Sequence, residues 1–269
     1  MNIVVCIKQV PDVLSLRMDR ERMTIIREGV ESVINPLDYD ALYVALELKR
    51  KEGARITVMT MGPPQSEEAL REAMGAGADR GILLTDPAFA GADTLATSHV
   101  LASAISRERP FPDLILCGVQ TVDSDTGHVG PQVAEELGLP QVCGVEHLHL
   151  EGGDLVAAAR GDGFVETIRA RLPAVVTVAG GAPSMIPVPL GAVQDAFAGG
   201  EVIRLGLKEL SLAPEEVGLQ GSATRVVRLH PPKPARQGEM VEGPSEILVE
   251  ALIRKLESLS ILDEEEDHG

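Results

Sequence analysis

The chain has 269 residues, 44% of them hydrophobic and 24% charged, enough for one large domain or one domain with an extension. A net charge of −17 excludes nucleic acid and anionic membrane as the main partners, because both demand a basic footprint. With no Trp, two Tyr and four Phe, the core must be built from Val, Ile, Leu and Ala, the composition of buried parallel sheets.

"NIVVCIK" (2–8), "RITVMTMG" (55–62), "GILLTD" (81–86) and "DLILCG" (113–118) are continuous apolar runs bounded by turn residues, as expected of strands buried on both faces. Between them, Asp38 to Lys51, Ser66 to Ala78 and Asp93 to Arg107 carry apolar residues at helical spacing, each opening on a candidate N-cap. This alternation predicts βαβ units and a mostly parallel sheet, an α/β fold. From Gln141 to Leu172, Gly-containing turns at 152–153 and 161–163 separate extended runs, which reads as an antiparallel excursion ending in a last buried strand, Ala174 to Ala179. Gly180 to Leu190 is proline-rich and irregular. From Leu207 the core signal fades, so the expected division is a domain over 1–206 and a C-terminal arm over 207–269. The arm contains one amphipathic helix, Pro244 to Ser258, and a solvated acidic tail, "DEEEDHG". Such an arm is too poor in apolar residues to fold alone and needs another surface to lie on.

Cys6, Cys117 and Cys143 are widely spaced, with no CxxC pair, so neither a metal site nor a disulfide framework is expected. Cys6 and Cys117 end apolar runs and read as small buried hydrophobes. The five apolar residues from Ile3 to Ile7 are too few for a signal-peptide core, and no segment reaches the roughly 18 of a membrane span. A cytoplasmic protein without membrane insertion is expected.

The stretch most informative about chemistry is "VQTVDSDTGHVGPQVAEELG", 119–138. As a calcium loop beginning at Asp123 and Asp125 it fails at Gly127, His128 and Ala134. A turn feeding a capped helix, with Pro131 as its first residue and Gly138 as its stop, accounts for part of it. An anion site accounts for more. The loop leaves the carboxyl end of a parallel strand, where ligands sit in open α/β sheets, and Gly127 and Gly130 allow close backbone approach. Amides ahead of the helix would hold phosphate, while the aspartates would bond ribose hydroxyls or brace the loop. The spacing matches neither GxGxxG nor GxxxxGK[ST], so the residues alone leave the last two readings open. No nucleophile–base constellation stands out, and no catalytic acid or base is assigned.

Several stretches together resemble the beta subunit of electron-transfer flavoproteins: "VVCIKQVPD", "NPLDYDAL" (35–42), "MGPPQSEEALREAMGAGADRGILLTD" (61–86), "DTLATSHVLA", "DSDTGHVGPQVAEELGLPQ", "ETIRARLPAVVTV" and "EEVGLQGSATRVVR". The resemblance runs in order from Met1 to about Ser258. It implies a Rossmann-like domain pairing with a flavin-carrying alpha subunit that the C-terminal arm embraces. It also implies nucleotide contacts at Cys6, at Asn35, Pro36, Leu37 and Asp38, and at Met61. A further run of contacts would comprise Gly118, Val119, Gln120, Thr121, Val122, Asp123, Ser124, Asp125, Thr126, Gly127, His128, Val129 and Gly130.

Members serving simple electron transfer hold AMP there, whereas members that bifurcate electrons from NADH hold a second FAD. The bifurcating type is similar to "DGDTAQVGP" in this loop. Here Thr126 and Val129-Gly130-Pro131 match it, while Ser124, Gly127 and His128 depart. The resemblance therefore favours FAD, with NADH as donor and ferredoxin or flavodoxin plus a dehydrogenase as acceptors; AMP is the alternative. Glu166 matches a glutamate facing the alpha subunit. The dehydrogenase-docking loop resembles "NEPRY" plus Leu in the family, but this chain has "GAPSMIPVPLGAV" (181–193). Pro183 is kept, and Leu190, or Val188 if the register slips, becomes the docking anchor for a partner that need not be a standard acyl-CoA enzyme. A stand-alone ATP-binding regulator of the universal-stress type is a further alternative, against which the arm argues.

Overall fold

A computed structural model describes residues 1–12, 17–19, 24–26, 32–161, 163–180, 186–227 and 240–259. It divides into two compact units, Met1–Arg225 and Val226–Gly269.

The first unit opens with β1 (Asn2–Cys6) and two short antiparallel pairs: β2 (Gln9–Pro11) with β5 (Ser32–Ile34), and β3 (Arg17–Asp19) with β4 (Thr24–Ile26). Then follow α1 (Pro36–Glu52), β6 (Arg55–Met61), α2 (Glu67–Gly75), β7 (Arg80–Leu84), α3 (Thr94–Ile105), β8 (Leu114–Gly118) and α4 (Val129–Leu137). The chain continues through β9 (Gln141–Glu151), β10 (Asp154–Gly161), β11 (Phe164–Arg171), β12 (Ala174–Val178), α5 (Leu190–Gly199) and β13 (Val202–Leu205). Two short helices, α6 (Leu207–Leu210) and α7 (Gly218–Gly221), close the unit.

One nine-stranded sheet has the order β11-β10-β9-β12-β8-β1-β6-β7-β13. From β9 to β13 every neighbour is parallel, and β10 and β11 are antiparallel additions. The α/β class with an antiparallel excursion is thus as the sequence predicts. Strand alternation sends Ile3, Val5 and Ile7 to one face, where α1 and α2 cover them, and Val4 and Cys6 to the other, beneath α3 and α4. The strand order runs outward from β1 to β7 and then returns across β1 to β8. The helices after β1 and β8 therefore cover opposite faces, and a crevice opens between the two strands' carboxyl ends.

Three predictions need correction. Ala174–Val178 is a buried strand but not the last one, because β13 pairs with β7 at the sheet's edge. Its four half-covered residues carry too short a pattern to read from sequence. The helix expected to open on Asp38 begins at Pro36, with Asn35 as its N-cap and Asp38 in its first turn; the irregular stretch does lead, as expected of a loop, into a further element, α5, which the glycines at 191 and 199 disguise. The helix expected to begin at Pro131 begins at Val129, making Pro131 its third residue; the first four amides of a helix lack partners, so proline is tolerated there too.

The composition shift suggests a boundary at 206, whereas the first compact unit extends to Arg225. Leu207 N donates to Asp86 (3.1 Å), Leu210 is buried in the core, and Asp93 accepts from the Thr224 amide (2.8 Å) and hydroxyl (2.9 Å). Within the second unit, α8 (Ser245–Ser258) exposes Ile247, Val249, Leu252 and Ile253.

Candidate functional site

The crevice is framed by Cys6 at the end of β1 and Gly118 at the end of β8, with Met61 ending β6 on the far side of β1. Cys6 and Cys117 are direct cross-strand partners, both buried. The neighbouring Cys6 thiol, then burial, pushes the Cys117 thiol above its ordinary value, as suits an unreactive core cysteine.

The first turn of α1 reaches across the crevice. Asn35 is its N-cap residue, yet its side chain makes no cap bond. Instead Asn35 Nδ2 donates to Gln120 O (2.9 Å), and Asn35 Oδ1 accepts from Val122 N (3.1 Å). One turn on, Asp38 Oδ2 accepts from Lys8 N (2.7 Å) and Oδ1 from Gly118 N (3.1 Å). Burial pushes the Asp38 carboxyl up to about 7, opposed by these amides, by Asn35 and by the Lys8 charge. Gly118 has a packing reason to be glycine: a Cβ there would lie 2.7 Å from Leu37 C and 2.8 Å from Asp38 N.

Past Gly118 the backbone makes a tight exposed turn. Asp125 N donates to Thr121 O (2.8 Å), with Asp125 at φ 55° and Gly127 at φ 66°, left-handed conformations that suit Asp and Gly. The Thr121 and Ser124 hydroxyls are 2.9 Å apart. Lys8 Nζ pairs with Asp123 Oδ2 at 2.6 Å, joining the segments that follow β1 and β8. Burial opposes ionisation of Asp123, but Lys8, Thr121 and Ser124 outweigh it and hold the carboxyl below its usual value. Val122 through Thr126 and His128 are exposed.

The first helical bond of α4 runs from Gln132 N to His128 O (3.0 Å), leaving the Val129 and Gly130 amides outside the helical ladder. Gly130 is buried against Thr177 Cγ2, inside the space a Cβ would need. Its lack of a side chain thus serves the approach of α4 to β12, whereas Gly127 is the glycine set by backbone conformation.

The structure brings Cys6, Asn35–Asp38, Met61 and Gly118–Gly130 to one edge of the sheet. Asn35 and Asp38 are buried and act on the loop's backbone. Glu166 stands elsewhere, exposed on β11 opposite Ala159. Leu190 is exposed at the start of α5, Val188 is half-buried just before it, and Pro183 lies outside the described residues. Lys8 carries a single sequence signal, a lone cation two residues past Cys6.

This arrangement offers backbone amides, hydroxyls and carboxylates around a crevice, suited to holding a polar ligand. Residues 22–209 match the family described as the electron transfer flavoprotein domain. Over 267 residues the chain is 42% identical to the electron transfer flavoprotein subunit beta of Thermoanaerobacterium thermosaccharolyticum, covering 97% of this chain and 100% of that protein. The chain belongs to the electron transfer flavoprotein family, as a beta subunit. It is also 40% identical to Protein FixA of Azorhizobium caulinodans, with 95% and 94% of the two chains covered. With the caffeyl-CoA reductase–Etf complex subunit CarD of Acetobacterium woodii it shares 38% identity, covering 97% and 100%. Membership in this family assigns the chain to electron transfer and displaces the reading of a stand-alone ATP-binding regulator.

Proposed function

We propose that this electron transfer flavoprotein beta subunit binds FAD in the β1/β8 crevice and pairs with a flavin-carrying alpha subunit. Electrons would come from NADH and leave by two routes, to ferredoxin or flavodoxin and to a dehydrogenase partner. The observation that carries the reading is the crevice itself, with the unbonded Val129 and Gly130 amides beside a loop of exposed hydroxyls and carboxylates. Those amides suit a diphosphate, which favours a helix N-terminus. Asp123 and Asp125 suit ribose hydroxyls, and Thr126 with Val129-Gly130-Pro131 follows the loop pattern of the FAD-holding type. When bound, the flavin supplies the redox chemistry, accepting a hydride and releasing single electrons. The chain's own residues hold and orient it: Asn35 and Asp38 fix the loop, and Lys8 offsets part of the acidic charge around the phosphates.

The arm is read as packing on the alpha subunit, supported by the apolar residues Ile247, Leu252 and Ile253 exposed within its own unit. Pro183, Val188 and Leu190 are read as the dehydrogenase-docking segment, and Glu166 as facing the alpha subunit. One relative is named for a complex with caffeyl-CoA reductase, which supports a partner that acts on a CoA thioester. The test is to co-purify both subunits and identify the nucleotides released on denaturation. Two FAD per heterodimer with flavin bleaching by NADH is expected. One FAD with one AMP overturns the reading in favour of a structural AMP site and a flavin on the alpha subunit alone.

A further inference from the structure

Asp38 occupies an unusual position in the crevice. The two strands that border it carry the loops that must flank any ligand: residues 7–12 leave β1, and 119–128 leave β8. Of all the bonds across this gap, two converge on one side chain. Asp38 Oδ2 takes the Lys8 amide at 2.7 Å and Oδ1 takes the Gly118 amide at 3.1 Å. Its neighbour Asn35 continues the same work farther along, fixing Gln120 O and Val122 N. Both side chains are buried, at 5% and 0% exposure. Asp38 spends each oxygen on a backbone amide and is covered by the loop backbone, so it does not itself face a ligand.

We propose that Asp38 is a positioning residue of the nucleotide site, a clasp whose single carboxylate fixes the separation of the two crevice lips through the Lys8 and Gly118 amides. This rests on the nucleotide reading of the crevice and assigns Asp38 a role through the backbone, not through contact with the nucleotide.

The clasp needs the ionised carboxylate. A carboxylate accepts at both oxygens, whereas protonation turns one oxygen into a donor facing an N–H, so one lip is released. Burial pushes Asp38 up to about 7, which brings this change into the neutral range. The groups around it do not titrate the same function. Lys8 contributes a cation that favours ionisation, and the Cys117 thiol is held above its ordinary value. Asp123, beyond Lys8, is held below its usual value, and Tyr39, next along α1, is paired with Glu72 of α2. His128, at the far end of the loop, is the loop's one histidine, and its substitution serves as the control.

The experiment uses the full chain, purified with its partner subunit, stripped of nucleotide and titrated with FAD at pH 6, 7 and 8. FAD is the chosen probe because its diphosphate has no titration near neutrality, whereas the phosphate of AMP titrates near pH 6 as other phosphate monoesters do. If the ionised clasp is the binding-competent state, the dissociation constant rises about tenfold from pH 8 to pH 6, following the competent fraction. Asp38→Asn should bind FAD about tenfold more weakly at pH 8 and show no pH dependence. His128→Asn, whatever its affinity, should keep the tenfold pH dependence. An Asp38→Asn protein that binds FAD as the wild type does, or a pH dependence that disappears with His128 instead, overturns the proposal.

Should Asp38→Asn fail to fold, amide hydrogen exchange in the wild type tests the clasp directly. After correction for intrinsic rates, Lys8 N and Gly118 N should be protected at pH 8 and at least one should lose protection at pH 6. Equal protection at both pH values overturns the clasp. A wild type that binds no FAD at any pH refutes the FAD reading instead, and the exchange measurement still decides for or against the clasp.

Discussion

The β1/β8 crevice and the β10–β11 wing are parts of the same sheet, held in opposite ways. At the crevice, backbone loops are fixed by buried polar side chains: Asn35 and Asp38 spend four hydrogen bonds on them, and Gly118 and Gly130 admit the close approach of helix to strand. At the wing, the strands are held by regular antiparallel ladders and by Leu155 and Ala157 in the core, and the outer strand is mostly exposed, with Ile168 and Ala170 packed on that core. Phe164 is 71% exposed and Val165 57%, two large apolar side chains at the start of β11. The crevice completes its own interactions and presents polar groups outward, as a preorganised ligand site does. The wing leaves apolar surface uncovered, as a surface awaiting a protein partner does. Four changes in condition or sequence separate these two regimes.

The largest expected effect is in the pH dependence of folding. Asp38 has an ordinary value of 3.8 and is raised to about 7 in the fold, so the folded chain binds a proton that the unfolded chain has lost. Its contribution to stability is therefore greatest below about pH 4 and declines as pH rises to about 7, by up to about 4 kcal/mol. Other carboxylates, Asp123 among them, shift the opposite way, so the measurable quantity is a difference. The stability of the wild type minus that of Asp38→Asn, from urea unfolding at pH 4 to 8, should fall across this window; a flat difference would remove the buried-charge account. The ionised form is thus the costlier one for folding and the one required for the clasp.

Next in size is Gly118→Ala. Its added methyl meets the Asp38 carboxylate oxygen and, behind it, backbone atoms of Leu37 and Asp38, so relief requires the first turn of α1 as well as that carboxylate to move away from β8. A loss of about 3 kcal/mol is expected, read as a lowered thermal midpoint, together with weaker FAD binding. Gly130→Ala meets only the Thr177 methyl, and should cost about 2 kcal/mol, largely recovered by adding Thr177→Ser. Failure of that rescue would place the strain of Gly130 somewhere other than β12.

The different construction of the two regions also governs what the sequence reveals. The parallel sheet is legible because each buried strand is a continuous apolar run, and the wing because Gly152 and Gly153, both at positive φ, mark a two-residue hairpin. The loop at 119–138 is legible as a site because a long polar segment follows the strand "DLILCG". Its internal order is not legible. Asn35 meets Gln120 across 85 residues and Lys8 meets Asp123 across 115, and no local spacing announces such pairs. Gly130 looks like a ligand-approach glycine in sequence because its partner, Thr177, lies four elements on, in β12. The strand β13 and helix α5 escape notice for the opposite reason: both are edge elements with little buried surface and hence little pattern.

The smallest expected effect on folding belongs to the wing, and its smallness is the point. Phe164 pairs with Gly161 at the end of the β10–β11 ladder and is largely in water, so Phe164→Ser removes little buried surface. The change in unfolding free energy should stay within about 0.5 kcal/mol. If the wing is a surface that the alpha subunit covers, the same substitution removes an aromatic anchor from the assembled protein. The dissociation constant of the two subunits, measured by analytical ultracentrifugation or biolayer interferometry, should then rise about tenfold, a loss of about 1.4 kcal/mol in binding. A variant that is as stable as the wild type and dissociates more readily would separate folding from assembly at one residue. A variant that unfolds early would show that β11 supports its own domain, and the contrast between a self-sufficient crevice and an unfinished wing would fail.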